Sequence, residues 1–217
     1  MRARSFFRVE TYVSLSCPNC GYGFEDLRKS TRMFDCPSCE TTLFRQADAL
    51  APMGNHGEMH ETPMLVGIGD TVEAAGSRWS VLGHVRYDYG RGTWDELWAE
   101  TSDGAGAWIS IDEGDVVIQL PVPRSSVRAG LADELRLGAG VRVDGEVYTV
   151  TEMDSAKAAA FRGQLPEQIV LGETHRFVNA TSDQGELLSG EVWDGGEAWF
   201  LGDWLDPFTL KVRRATG

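Results

Sequence analysis

Three features predict a mainly β fold. Two Cys-Pro-x-Cys pairs lie near the start of the chain, short alternating apolar runs are broken by Gly and Asp, and one pattern of residues recurs further along. The expected architecture is an N-terminal four-cysteine zinc ribbon followed by two small barrel- or roll-like β units in tandem. The boundaries read from the sequence are 1–46 for the ribbon, 47–63 for a linker, 64–123 for the first β unit, and 132–213 for the second, which carries an insertion.

The cysteine pairs are Cys17-Pro18-Asn19-Cys20 and Cys36-Pro37-Ser38-Cys39, separated by the fifteen residues Gly21 to Asp35. That gap falls in the spacing range of zinc sites built from two such pairs. Two thiolates two residues apart grip one ion when the backbone turns sharply between them, and Pro presets φ for the turn. Gly21 permits the unusual dihedrals needed as the chain leaves the first pair. Two such knuckles close a tetrahedral shell. Cys17, Cys20, Cys36 and Cys39 are therefore expected to hold one structural Zn2+ that folds the segment and does no catalysis. Two disulfides are unexpected in a cytoplasmic chain, four free thiols would not fall into this spacing, and a redox pair would sit in a βαβ pattern that the sequence lacks.

Residues 47–63 hold Pro52, Gly54, Asn55, Gly57 and Pro63 without sustained periodicity, which reads as a linker. His56 and His60 stand four apart, a spacing that suits a metal on a helix. Gly54 and Gly57 argue against a helix, so solvated loop histidines are expected. From Leu65 onward the pattern is short strands and Gly/Asp turns. Trp79 to Tyr87 alternates, Leu97–Thr101 and Ala107–Ile111 flank the turn Ser102-Asp103-Gly104, and Val116–Leu120 ends at Pro121. Gly69, Val72, Gly76, Trp79 and Val81 recur as Gly138, Val141, Gly145, Tyr148 and Val150, an offset of 69. Asp103, Gly104 and Trp108 recur as Asp194, Gly195 and Trp199, an offset of 91, which implies 22 extra residues in the second unit. Ala156–Gln164 and the hairpin around Ser182–Gly185 are the expected insertion.

Charge limits the function classes. The net charge is −13. Residues 1–46 carry seven Lys/Arg and five Asp/Glu, a balance of +2, which leaves −15 for the remainder. So acidic a body repels phosphate backbones, and nucleic-acid binding is conceivable only at the ribbon. No apolar run approaches the ~20 residues that span a bilayer. Met1 to Arg8 is basic, as a signal peptide begins, but Arg8 and Glu10 interrupt the apolar core, so a cytoplasmic location is expected.

The chain also carries Gly69, Gly76-x-x-Trp79, a segment with Trp94, Glu96 and Trp98, the run Trp108-Ile109-Ser110, and Gly163-Gln164-Leu165-Pro166. In these residues it resembles a bacterial family known as a domain of unknown function, DUF4178, over residues 64–213 and in two tandem copies. Gln164 stands where the family's Gly-Glu-Leu-Pro element has an acid, which weakens a carboxylate role at that position. Many members of the family carry a Cys-Pro-x-Cys zinc ribbon in front. The resemblance implies a component of a bacterial membrane-stress or polyamine-linked system, with membrane-associated stress proteins as partners.

The most unusual body segment runs from Tyr87 to Trp98. Tyr87, Tyr89, Arg91, Trp94 and Trp98 could form an interaction surface, since aromatics and Arg anchor interfaces. Alternatively Trp94 and Trp98 pack in a barrel core. His84 reads as a paired histidine, or as a base in an enzyme whose site uses His84, Asp95 or Glu96 between the β units. Asp112, Glu113 and Asp115 read as a solvated acidic turn. No phosphate-binding loop, dinucleotide fingerprint or nucleophile elbow is present. The function expected from the sequence is thus a non-catalytic interaction or adaptor protein, with an enzyme subunit and a nucleic-acid-binding ribbon as alternatives.

Overall fold

The computed structural model describes residues 15–25, 27–47, 49–54, 56–60, 62–128 and 130–215. Met1 to Arg8 and Glu10, weighed above as a signal segment, and Asn55 of the linker lie outside the described residues. Strand β1 (Leu15–Ser16) pairs with β2 (Gly23–Phe24), while β3 (Met33–Asp35), β4 (Thr42–Gln46) and β5 (Ala49–Pro52) form an antiparallel meander. Part of the expected linker is therefore strand: Ala49–Pro52 hydrogen-bonds along β4, and Pro52 is tolerated because β5 is an edge. The following segment lies along the body, where the Phe161 amide donates to the His56 carbonyl at 3.0 Å.

The body begins with β6 (Thr71–Ala74), β7 (Ser77–Asp88), β8 (Thr93–Glu100), β9 (Gly106–Asp112) and β10 (Asp115–Pro121). After a 3-10 turn at Leu131–Glu134 come β11 (Gly140–Val143), β12 (Glu146–Leu165), β13 (Thr174–Ser182), β14 (Leu187–Trp193), β15 (Gly196–Leu205) and β16 (Lys211–Arg213). Among the described residues no helix is long and apolar enough to cross a membrane.

Eight of these strands close on themselves in the order β7-β8-β9-β10-β15-β14-β13-β12 and back to β7. This corrects the expectation of two small barrels in tandem. Each half supplies four strands to one barrel, because each leaves a strand edge open and an open edge is satisfied by another strand. Val116–Pro121 of β10 pairs with Phe200–Leu205 of β15, and the second half of β7 pairs with β12. The β7–β12 seam passes through Gly83 opposite Gly163. A Cβ on Gly83 would stand 2.2 Å from the Gln164 carbonyl oxygen, and one on Gly163, at φ +75, would stand 2.4 Å from that of Leu82. Only glycine lets the two backbones approach so closely.

The halves nevertheless follow one strand plan. β6 and β7 begin 69 residues before β11 and β12, and β8, β9 and β10 begin 81 residues before β13, β14 and β15. Ala75-Gly76 and Asp144-Gly145 make equivalent two-residue turns, with both residues at positive φ. Gly69 N donates to Val81 O and Gly138 N to Val150 O, at 2.9 and 2.8 Å. The offset of 91 read from the sequence is not the structural one. Thr101 closes its turn onto Ala105 as Ser182 closes onto Glu186, at 2.9 and 3.0 Å. Asp194-Gly195 belongs to the next hairpin along. The extra length, the difference between the two spacings, is twelve residues. Most of it is β12, with 20 residues against 12 in β7.

Side chains alternate across each strand, so each wall of the barrel has an inner and an outer face. The outer face of the first half packs Trp79, Val81, Leu97 and Ile109 with Val72 of β6 and Val212 of β16. The second half packs Tyr148, Val150, Val178 and Leu188 with Val141 of β11 and Ala132 of the 3-10 turn. The inner faces meet around Val85, Tyr87, Trp108, Phe161 and Phe177, where Met33 of the ribbon also packs.

Candidate functional site

The four cysteines converge, with all four Sγ atoms within 4.8 Å of one another. Two knuckles build the cluster with the same bonds. Gly21 N donates to Cys17 O and Glu40 N to Cys36 O, at 2.9 and 2.8 Å, while Cys17 N and Cys36 N donate to Tyr22 O and Thr41 O. Gly21 at φ +77 and Glu40 at φ +57 fill the same left-handed position, so glycine is used in one knuckle and tolerated strain in the other. Cys17 and Cys39 stand 3.7 Å apart, as do Cys20 and Cys36. An ion bonded to four thiolates at about 2.3 Å would space its sulfurs by about 3.8 Å in a tetrahedron, so the set fits a metal. Asn19 Nδ2 donates to Thr41 Oγ1 at 2.9 Å and approaches Cys39, holding one knuckle against the other. Hydrogen bonding from Thr41 draws the Cys39 thiol down to about 6, and burial pushes Cys36 up to about 11.

The ribbon closes one end of the barrel. Arg32 N donates to Leu165 O at 2.8 Å, continuing the sheet from β12 onto β3. Gln164, the residue that departs from the family's acid, takes a hydrogen bond from Thr31 Oγ1 at 2.7 Å and from Arg28 N at 3.3 Å. Either an amide or a carboxylate oxygen would accept these bonds, which is why the exchange leaves the clasp intact. Ser30 Oγ donates to Glu100 at the same end, and Met33 and Phe44 pack on the inner cluster. His56 lies beside the ribbon, half-buried, with Nδ1 3.4 Å from Asp35 Oδ1; His60 is exposed.

The other end is open. A cavity of about 300 Å3 is lined by inward side chains of β8, β9, β10, β12, β13, β14 and β15. The exposed acids Asp112, Glu113, Asp115 and Glu152 and the half-exposed Trp204 stand at its rim. Deeper lie Glu96 and Gln119, both buried, and Glu191, which keeps part of its surface toward the cavity. Glu96 Oε1 accepts from Trp94 Nε1 at 3.0 Å. Burial nevertheless pushes the Glu96 carboxyl up to about 7, helped by the nearby charge of Glu167, with Trp94 offsetting part of the shift. Burial, then the charges of Glu96 and Glu167, raise Glu191 well above the carboxylate range. Gln119 Oε1 has no hydrogen-bond partner among the described residues.

The segment singled out in the sequence divides between these features. Tyr87 is 4% exposed and stacks on Trp94 inside the barrel, with ring centroids 5.0 Å apart. Trp98 packs on Trp108 at 5.2 Å. Tyr87 is thus part of the core, while Trp94 and Trp98 are half-buried on the inner face and Trp94 also lines the cavity. Tyr89 stays at the rim, with exposed Arg91 over its ring and paired to Asp154 at 2.8 Å. The enzyme reading groups three residues that β8 separates. His84 Nε2 lies 2.7 Å from Asp95 Oδ1 on the outer face, and Glu96 points into the lumen. Sequence reasoning does not single out Gln119 or Glu191. Their one signal is alternation, which puts them on the face of their strands opposite the apolar Ile118 and Val192.

No curated protein and no solved structure matches the chain. A family model does match, once, over residues 67–207, the stretch that forms the barrel. That single match spans both halves and gives no evidence of the two tandem copies expected from the sequence. The chain belongs to the family described as a domain of unknown function (DUF4178).

Proposed function

We propose that this protein is a non-catalytic binding protein: the barrel lumen is its receptor, and the ribbon, folded around one Zn2+, is the floor of that lumen. The observation that carries the reading is the cavity, lined by buried polar groups and rimmed by exposed acids. Its volume is at the lower end of small-molecule sites, and it combines aromatic walls with a few convergent polar groups, as such sites do. Zinc is the metal that suits four thiolates at this spacing, in a closed shell with no position left for substrate. In an adaptor role, partners such as membrane-associated stress proteins would meet the outside of the barrel.

The test is a fragment screen by NMR on the full-length, zinc-loaded protein, following the indole N–H of Trp94. Trp94 lines the cavity and its indole already donates to Glu96, so a ligand in the lumen moves that signal. Fragments that bind without shifting Trp94 would place the receptor elsewhere and end this reading.

A further inference from the structure

The lining of the lumen is one-sided in charge. Glu96, Asp112, Glu113, Asp115, Glu152 and Glu191 face the cavity, and among the described residues no Lys, Arg or His lines it. In the depths the imbalance is sharper. Glu96 receives one hydrogen bond, from Trp94, while neither a hydrogen bond nor an ion pair reaches Glu191 among the described residues. Gln119 is 5% exposed, and its Oε1 accepts nothing. Buried acceptors without donors are costly, and buried carboxylates without a cation more so. What is missing from the lumen is a positively charged hydrogen-bond donor.

Two observations say which kind. Among the described residues, three or more His, Cys, Asp or Glu ligand atoms converge only at the ribbon cysteines, so no third ligand of these types joins the deep carboxylates of Glu96 and Glu191. The walls are aromatic instead. Trp94 lies between Tyr87 and Phe177, with ring centroids at 5.0 and 5.3 Å, and Trp204 stands at the rim. Aromatic faces attract organic cations through their quadrupole. A space of 300 Å3 corresponds to about ten waters, enough for a charged head with a short apolar arm.

We propose that the lumen binds a small organic cation, whose ammonium or guanidinium group is held by the carboxylates of Glu96 and Glu191 and the amide oxygen of Gln119. This rests on the reading of the lumen as the receptor and adds the ligand class. The acidic rim draws the cation in, and the aromatic wall takes its apolar arm. The raised carboxyls agree with a site short of positive charge, since an arriving cation restores what burial took away.

The test uses three probes of one shape on the full-length, zinc-loaded protein at about pH 8: phenethylammonium, 2-phenylethanol and phenylacetate. Calorimetry gives affinity and the Trp94 indole signal gives location. Phenethylammonium is expected to bind once per chain and to shift Trp94. It should bind roughly tenfold or more tightly than the alcohol, the worth of one charge-assisted hydrogen bond, with phenylacetate weakest. Glu96→Gln with Glu191→Gln should remove that preference while the melting transition stays cooperative. Glu191→Gln alone, which keeps the Trp94–Glu96 bond, should remove part of it. If the alcohol or the acid binds as tightly and shifts Trp94, the cation inference is overturned and the lumen remains a receptor. An undiminished preference in the folded variants also overturns it. If no probe shifts Trp94, both the inference and the receptor reading fall.

Discussion

Asp95 and Glu96 are neighbours on β8, and the strand turns them to opposite sides of the barrel wall. On the outer side Asp95 lies 2.7 Å from His84 Nε2 and takes Arg86 Nε and Nη2 at 2.8 and 3.2 Å. Burial alone would raise its pKa, but these partners outweigh burial and hold the carboxyl low. On the inner side Glu96 has Trp94 alone, burial dominates, and the carboxyl rises to about 7. Asp70 and Glu191 repeat the contrast. Asp70 is fixed by the amides of Gly67 and Ala215 and by Arg214, and is held low despite burial; Glu191 has no such partners and is raised. Asp95 and Asp70 have their cations within the chain. Glu96 and Glu191, which face the lumen, do not, and on the proposed reading that difference separates structural acids from ligand-binding ones.

Removing the floor under the inner set gives the largest expected effect. Metal binding to a closed shell of four thiolates supplies on the order of 10 kcal/mol of folding free energy, so chelation should unfold the ribbon. Hydrogen exchange should then accelerate at Met33, Phe34, Leu43 and Phe44, while β9 and β10 stay protected. Equal protection before and after chelation would contradict the account of the ribbon as a metal-folded floor.

Next in size is the outer set. Asp95→Ala takes its carboxylate partner from the half-buried Arg86, which keeps only its long contacts to His60 O and Thr62 Oγ1, and should cost about 1–2 kcal/mol in denaturant unfolding. A loss under about 0.5 kcal/mol would erase the contrast with Glu96. The inner set should respond in the opposite sense. Glu96→Gln with Glu191→Gln keeps shape and removes buried charge, so without ligand it should raise the melting temperature by roughly a few degrees at about pH 8.

The two sets also carry opposite pH dependence. A carboxyl with a raised folded pKa stabilises the fold fully below its unfolded value and loses that contribution as pH rises through the folded value. For Glu96 the window runs from 4.5 to about 7. Asp95 and Asp70, held below 3.8, stabilise above that value and lose their contribution in acid. The wild-type melting temperature should therefore fall between about pH 5 and about pH 8, and the double Gln variant should flatten that fall. A curve identical in the two proteins would refute the assignment. The smallest effect belongs to Arg91→Ala. Its ion pair with Asp154 is exposed, and its loss should change stability by less than about 0.5 kcal/mol.

How much of this was legible depends on how local the signal is. The cysteine knuckles are local, so Cys17, Cys20, Cys36 and Cys39 could be grouped from spacing alone. The Ala75-Gly76 and Asp144-Gly145 turns and the core positions beside them are local too, and the offset of 69 holds in the structure. The second offset fails because Asp-Gly turns recur in successive hairpins. It matches Asp103-Gly104 to Asp194-Gly195, when the structural counterpart is Gln184-Gly185. Closure into one barrel left no trace in the pattern, since Val116 and Leu205 pair across most of the second half of the chain. The lumen followed that closure into obscurity. Alternation places Trp94, Glu96 and Trp98 on one face of β8, but only the β7–β12 and β10–β15 seams make that face an interior.

The most direct measurement is a carbon-detected NMR titration of the glutamate carboxyls, with Glu96 assigned through Glu96→Gln and repeated in the presence of phenethylammonium. The account predicts a Glu96 midpoint at about 7 in the free protein, and a lower one when the cation is bound. A midpoint near 4.5 that the cation leaves unmoved would contradict it.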